Sequence, residues 1–326
     1  MTWKYHLMLL WGALHVVQAH EFDSEFVQYI PGEINVIVSI PHGSRSSPTS
    51  WPSRRAGCSN TNGYDCFYSS TSSCVPDPNS CSYGYFTDAF TEDIGIEVAN
   101  VVKQRLGKQP HVLILKVARK KLDVNRPIFN SYNGKYDEGA QGFAPAQAVY
   151  DKYHGRLAQI KSQMMGRGIL LDIHGQAHKQ NSTELGYLFR LDQIEDLING
   201  VDNLETQRRR CGLLSLLDET NASVWDMLLG PNSLGKYLED QGFKALPGPS
   251  TLQMSAATLS GLNYFNGGHT VKEHGSRYSN GKQMDAVQAE IPGEIRWSSS
   301  LRPTYAQALG NAFSDFVLHF YPNILV

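Results

Sequence analysis

Four apolar runs punctuate the chain: Val36-Ile37-Val38-Ser39-Ile40, Val112-Leu113-Ile114-Leu115, Ile169-Leu170-Leu171 and Ala286-Val287-Gln288-Ala289. Their length and Val/Ile/Leu content fit strands buried on both faces of an α/β sheet. Between them the spacing becomes helical. Phe90, Ile94, Val98, Val101 and Val102 mark one helix face, with Thr87 as the predicted N-cap and Gly107 as the stop. Helices are also predicted over 144–165, 204–217, 224–229, 234–241 and 304–321, and strands over 26–30, 34–40, 111–117, 168–173, 185–189 and 287–291. The Pro31-Gly32 turn predicts that the first two strands pair with each other. Strands alternating with helices imply a three-layer α/β/α fold around a mostly parallel mixed sheet.

In such sheets, ligands gather beyond the carboxyl ends of the strands. Those ends are where this chain places its chemistry. The first run leads into Pro41-His42-Gly43, the third into Asp172-Ile173-His174-Gly175, and the fourth into Glu290; Asp123-Val124-Asn125-Arg126-Pro127 follows the second. Neutral imidazole is the commonest zinc ligand, so two strand-end histidines make His42 and His174 candidate metal ligands. Asp172, two residues before His174, shares its strand face and is either the acceptor that orients an imidazole or a solvated strand end. His174 and His178 do not form a zinc-protease helix, because no Glu follows the first His and Gly175 disfavours a helix.

Charge adds little to this picture. The formal net charge is −2 with signs well mixed, so neither nucleic acid nor an anionic membrane is an expected partner. The start of the chain changes more. Lys4, the apolar run Leu7–Leu14 and the small residues at Val17 and Ala19 read as a secretory signal peptide over residues 1–19. That run falls short of the roughly 20 apolar residues of a membrane span. Residues 20–326 then form a single domain, with no linker or repeat dividing them. Cys58, Cys66, Cys74 and Cys81 fall in a Ser/Asn/Gly/Pro-rich loop over 43–84 and predict two disulfides, with Cys211 unpaired. Asn181-Ser182-Thr183 and Asn221-Ala222-Ser223 are glycosylation acceptors in a secreted chain.

The ordered motifs PHG (41–43), DVNRP (123–127), DIHG (172–175) and QAEI (288–291) resemble the N-formylglutamate amidohydrolase family, over about residues 34–295. More distantly they resemble zinc carboxypeptidases and aspartoacylases. Thr87-Asp88, Tyr153-His154 and Gly267-Gly268-His269-Thr270 look like weaker family blocks. The resemblance implies a bound zinc ion, a substrate carboxylate gripped by Asn125 and Arg126, and Glu290 as the group that takes a proton from water and returns it to the leaving amine. A guanidinium suits a carboxylate by its bidentate geometry. Zinc carboxypeptidases carry a ligating Glu three residues after the first His; Arg45 stands there in this chain. Asp88 is the expected third ligand instead, with Glu92, one helical turn later, as the alternative. His154, His269 and His274 are candidate pocket residues.

The expectation is a secreted zinc-dependent hydrolase. It would cleave an amide bond in a small carboxylate-bearing or N-acyl amino acid substrate, or a terminal peptide bond. The rival is a secreted binding protein that keeps the fold without catalysis. A serine hydrolase is excluded, since the chain has no G-x-S-x-G elbow.

Overall fold

The computed structural model describes residues 21–54, 58–60, 63–65, 75–76, 86–128, 139–201, 208–277 and 284–325. Its centre is an eight-stranded sheet of order β1-β2-β7-β3-β8-β11-β9-β10. The strands are β1 (Glu21–Ser24), β2 (Val27–Ile30), β3 (Ile34–Ile40), β7 (Pro110–Leu115), β8 (Gly168–Gln176), β9 (Thr183–Gly186), β10 (Ala245–Leu246) and β11 (Met284–Pro292). Three short strands, β4 (Cys58–Asn60), β5 (Gly63–Asp65) and β6 (Val75–Pro76), form a separate small sheet. The four apolar runs lie side by side as β7, β3, β8 and β11, all parallel. β2 and β9 flank them antiparallel.

The expected β2–β3 pairing does not form. β7 lies between the two strands; Glu33 N–H donates to Gln109 O at 2.7 Å, and Gly32 packs against the backbone of Pro110 and His111. The turn therefore carries the chain across β7 rather than back along β2.

Alternation along the central strands divides them between two cores. Val36, Val38, Ile40, Ile169, Leu171, Ile173, Val287 and Ala289 pack under α1 (Thr91–Leu106) and the C-terminal helix Leu301–Phe320. Ile37, Leu113, Leu115, Leu170 and Ala286 pack under α2 (Ala144–Gln163), through Tyr153, Leu157 and Ile160. Helices on both faces of a mixed sheet are the expected three-layer α/β/α arrangement. Towards the carboxyl ends, the α2-side face turns polar, carrying Ser39, Asp172, His174, Gln288 and Glu290. Register places Ser39 and Gln288 on either side of Asp172, and Glu290 beside His174.

Several predicted boundaries move. α1 begins at Thr91, not Thr87; its first-turn neighbour Phe90 takes a left-handed conformation (φ 68°) with no side-chain cap. The strand predicted at 185–189 is β9, which starts two residues earlier and is followed by an unanticipated helix, α3 (Leu191–Ile198). Within the stretch predicted as a helix over 204–217, residues 204–207 are outside the described ones, Arg208 is helical, and after a break a short helix runs from Leu214 to Glu219. Cys211 precedes it in a turn, as a buried free thiol that burial pushes up to about 12. Cys66, Cys74, Cys81 and residues 1–19 lie outside the described residues. No helix among the described residues is long and apolar enough to cross a membrane.

Candidate metal centre and active site

Two turns meet at the end of β3. His42 sits in the Pro-His-Gly turn, which packs so closely on the start of α1 that a Cβ at Gly43 would lie 2.6 Å from the Glu92 nitrogen. Asp88 is fixed beside it: its N–H donates to His42 O at 3.0 Å, and its own carbonyl accepts from Thr91 Oγ1 at 2.7 Å. From the next strand, β8, comes His174. Asp88 Oδ2 lies 3.3 Å from His42 Nδ1 and 3.2 Å from His174 Nδ1, and also accepts the Gly175 N–H at 3.1 Å. One ligand atom from each of His42, Asp88 and His174 lies within 4.8 Å of the other two, and all three residues are buried.

The outer edge of each imidazole is anchored to a carboxylate. His42 Nε2 donates to Asp123 Oδ1 at 2.7 Å, and His174 Nε2 to Asp172 Oδ2 at 2.9 Å. A carboxylate only accepts, so Nε2 carries a proton in both residues, and Nδ1 is the ring atom that faces Asp88. Two imidazole nitrogens, each backed this way, and the Asp88 carboxylate oxygen form a donor set that suits a divalent metal ion. Asp172 is thus the orienting acceptor of the two readings open from sequence. It also accepts from Ser39 Oγ at 2.6 Å, which in turn bonds Tyr153 Oη at 2.7 Å.

Burial alone would raise Asp88, but the His174 and His42 bonds hold it well below the usual carboxylate range. Burial would lower His174, yet the charge and hydrogen bond of Asp172, with Asp88, push it up to about 10. In both residues the attraction between carboxylate and imidazole outweighs the effect of burial. Glu92, the alternative ligand, turns away to pair with Lys116.

Asp123 has a second duty that sequence reasoning missed. Its Oδ1 accepts the Asn125 N–H at 2.9 Å, a local turn that shapes the DVNR segment. Its Oδ2 pairs with Arg119 Nε at 2.8 Å and Arg54 Nη1 at 3.4 Å. Despite complete burial, Arg119, His42 and Arg54 hold Asp123 well below the usual range. Arg119 also lies 3.7 Å from Asp88 Oδ1 and lines the pocket. It was missed because Ala118-Arg119-Lys120-Lys121 reads as an exposed basic loop.

The pocket over this centre has a volume of about 870 Å³; Asp88, Arg119, Asn125, Arg126, His178, His269, Lys272, Gln288, Glu290 and Arg296 are among its lining residues. Glu290 is 6 % exposed, and burial, with Asp88 and Glu184 adding to it, pushes it up to about 8. Gln288 Nε2 donates to its Oε1 at 2.7 Å. Glu294, four residues on, is exposed on the following short helix, Gly293–Trp297. Arg126 lines the pocket and donates from Nη1 to Asn125 O at 2.8 Å. Asn125 lies 3.4 Å from His174 Nε2 and accepts the Thr270 N–H at 3.0 Å. A Cβ at Gly268 would strike the Asn125 side chain at 2.2 Å, which is why the GGHT block must be small there.

The three candidate pocket histidines separate. His269 lines the pocket, its Nε2 2.8 Å from Tyr150 Oη. His154 and His274 do not; they bond each other at 2.8 Å behind the DVNR segment, and His154 Nε2 donates to Val124 O at 2.9 Å. These two support the loop from below.

No family model matches the sequence, and no curated protein matches it. Among solved structures, an N-formylglutamate amidohydrolase from Ralstonia eutropha is similar over 92 % of this chain and 99 % of its own, at 10 % identity and a TM-score of 0.43. A gene product of Agrobacterium tumefaciens is similar over 90 % and 96 %, at 14 % identity and 0.43. An N-acetylmuramyl-L-alanine amidase from Mycobacterium abscessus is similar over 87 % and 98 %, at 10 % identity and 0.28. The more distant resemblance to zinc carboxypeptidases has no counterpart among these three. The site geometry, not overlap at these levels, carries the functional reading.

Proposed function

We propose that this protein is a metal-dependent amidohydrolase acting on a small substrate that bears a carboxylate, such as an N-acyl amino acid. The observation that carries the proposal is the buried His42–Asp88–His174 triangle, opening into a pocket that also holds Glu290 and Arg126. Zinc in that triangle would polarise the scissile carbonyl and make water acidic. The remaining roles belong to side chains. Asp123 and Asp172 keep both ligand imidazoles in the tautomer that offers Nδ1. Arg119 balances the negative charge of Asp88 and Asp123. Arg126 anchors the substrate carboxylate. Glu290, on the strand beside His174, accepts a proton from the attacking water. Secretion belongs to the same proposal: a leader ending at Ala19 and two disulfides among Cys58, Cys66, Cys74 and Cys81.

The test combines elemental analysis with a panel of N-formyl and N-acetyl derivatives of glycine, alanine, aspartate and glutamate. We expect about one zinc per chain, lost in His42→Ala and in His174→Ala. Glu290→Gln should keep the metal and lose about 10²–10⁴ in kcat, while Glu294→Gln stays near wild type. Full zinc occupancy in both histidine variants would overturn the metal site. A zinc-loaded wild type that hydrolyses nothing in the panel would leave a binding protein in its place.

A further inference from the structure

Beside the pocket lies a further carboxylate–imidazole pair, Glu184 and His178, for which the scheme above has no use. β9 runs antiparallel to β11 with Glu184 directly opposite Glu290. Glu184 is fully buried and collects three donors, two from the 178–180 loop and one from Phe265. Phe265 N–H reaches its Oε2 at 2.8 Å, the Gln180 amide its Oε1 at 2.9 Å, and His178 Nδ1 its Oε1 at 2.7 Å. A carboxylate held this firmly is a fixed acceptor, so the proton on that edge of the His178 ring sits on Nδ1. The two ligand imidazoles are oriented the opposite way round, with Nε2 anchored.

The free edge of His178 is therefore Nε2. It has no hydrogen-bond partner among the described residues, its side chain is 19 % exposed, and His178 lines the same pocket as Glu290. The Phe265 ring, 4.7 Å from the imidazole, holds the ring plane. His178 stands outside the metal triangle. An oriented imidazole with one open nitrogen, on a residue that lines the pocket, is equipped to move a proton.

We propose that His178, held by Glu184, donates the proton to the departing amine nitrogen; this rests on the amidohydrolase reading above. An amine leaves a tetrahedral adduct once its nitrogen is protonated, whereas an alkoxide departs without that help. As the C–N bond breaks, its electron pair stays on nitrogen, which takes the Nε2 proton of the His178 imidazolium. The water oxygen has meanwhile bonded to the carbonyl carbon and its proton rests on Glu290. Transfer of that proton to His178 through solvent restores both groups. The work of base and acid is then divided between Glu290 and His178, where the family resemblance implies Glu290 alone. Glu184 acts through His178 and is a positioning residue.

The experiment compares zinc-loaded wild type, His178→Gln, His178→Ala and Glu184→Gln on two substrates. One is the best N-acyl amino acid of the panel above; the other is its O-acyl hydroxy acid ester, with the same acyl group and carboxylate. His178→Gln should lower kcat/KM for the amide by about 10²–10⁴ and for the ester by less than about tenfold. Added imidazole should restore part of the amide activity of His178→Ala, and Glu184→Gln should lose amide activity selectively. Equal losses on amide and ester, or an amide rate untouched in both His178 variants, would overturn the proposal. An inactive zinc-loaded wild type would instead refute the amidohydrolase reading, and this inference with it.

Discussion

Gly175 sets a sharp test of how the site is held. It follows His174 on β8, and its N–H bonds Asp88 Oδ2 at 3.1 Å. Across from it lies Arg296, 5 % exposed, with Nε on Ile291 O at 3.0 Å, Nη1 on Ala89 O at 3.0 Å and Nη2 on Gln176 O at 2.9 Å. A Cβ at position 175 would lie 2.3 Å from Nε and 2.6 Å from Cζ. The guanidinium has no slack, since all three nitrogens are committed. Moving it sacrifices at least one charged hydrogen bond, worth about 1.5–3 kcal/mol. Residual crowding adds about 1–3 kcal/mol. Gly175→Ala should therefore cost about 2.5–6 kcal/mol, a large share of the roughly 5–15 kcal/mol that keeps a domain folded. Urea unfolding measures this directly, and zinc titration of the folded fraction reports the disturbed Asp88. In an Arg296→Ala background the obstructing atoms are gone, so the same substitution should cost less than about 1 kcal/mol by double-mutant cycle. A cost below about 1 kcal/mol in the wild-type background, or equal costs in both, would refute the reasoning.

Gly155, exposed in the middle of α2, has nothing within 4 Å of a built Cβ; Gly155→Ala should stabilise by about 0.5–1 kcal/mol, and a lower melting temperature would contradict the open space. Asp172→Asn should weaken zinc binding by about 10–100-fold in a chelator competition, and unchanged affinity would remove its orienting role. His111 is held near 4 by burial, helped by the Arg156 charge, and its Nδ1 accepts from Gly32 N–H at 3.0 Å beside Tyr29 Oη at 2.7 Å. Its folded value lies below the unfolded one of about 6.5, so protons favour the unfolded chain. The contribution is full above about pH 6.5 and lost as pH falls towards 4, up to about 3 kcal/mol. His154 and His269 are also held near 4, so the readout is the wild-type slope minus that of His111→Asn, which keeps an acceptor; identical slopes would sink the assignment.

The central strands were legible because burial on both faces writes them as unbroken apolar runs, and their polar ends named His42, His174 and Glu290. Strand order was not. Ile30 and Ile34 are neighbours in sequence, yet β7, more than seventy residues on, lies between their strands; no local pattern encodes a crossover. Asp88 was reached only because Arg45 left a ligand missing. Asp123 was visible as part of a motif, but its bond to His42 spans 81 positions. The Glu184–His178 pair was hidden for a related reason. The H-x-x-x-H spacing tests His178 as a helical partner of His174, whereas the residue that orients it sits on β9 and is named by nothing in its own neighbourhood.

The three donor atoms of the triangle come from chain segments 46 and 86 residues apart. No short stretch of this chain can chelate a cation with them, so the unfolded ensemble has no competing site of this kind. Whatever affinity the triangle has for its ion is then returned in full as resistance to unfolding, about 2.7 kcal/mol when free metal stands at a hundred times Kd. Within the fold the imidazoles are held in place by aspartate–imidazole bonds, so little ordering entropy opposes uptake. A chelator should consequently lower the unfolding midpoint of this protein without altering how steeply it unfolds, making the sheet itself a gauge of metal concentration.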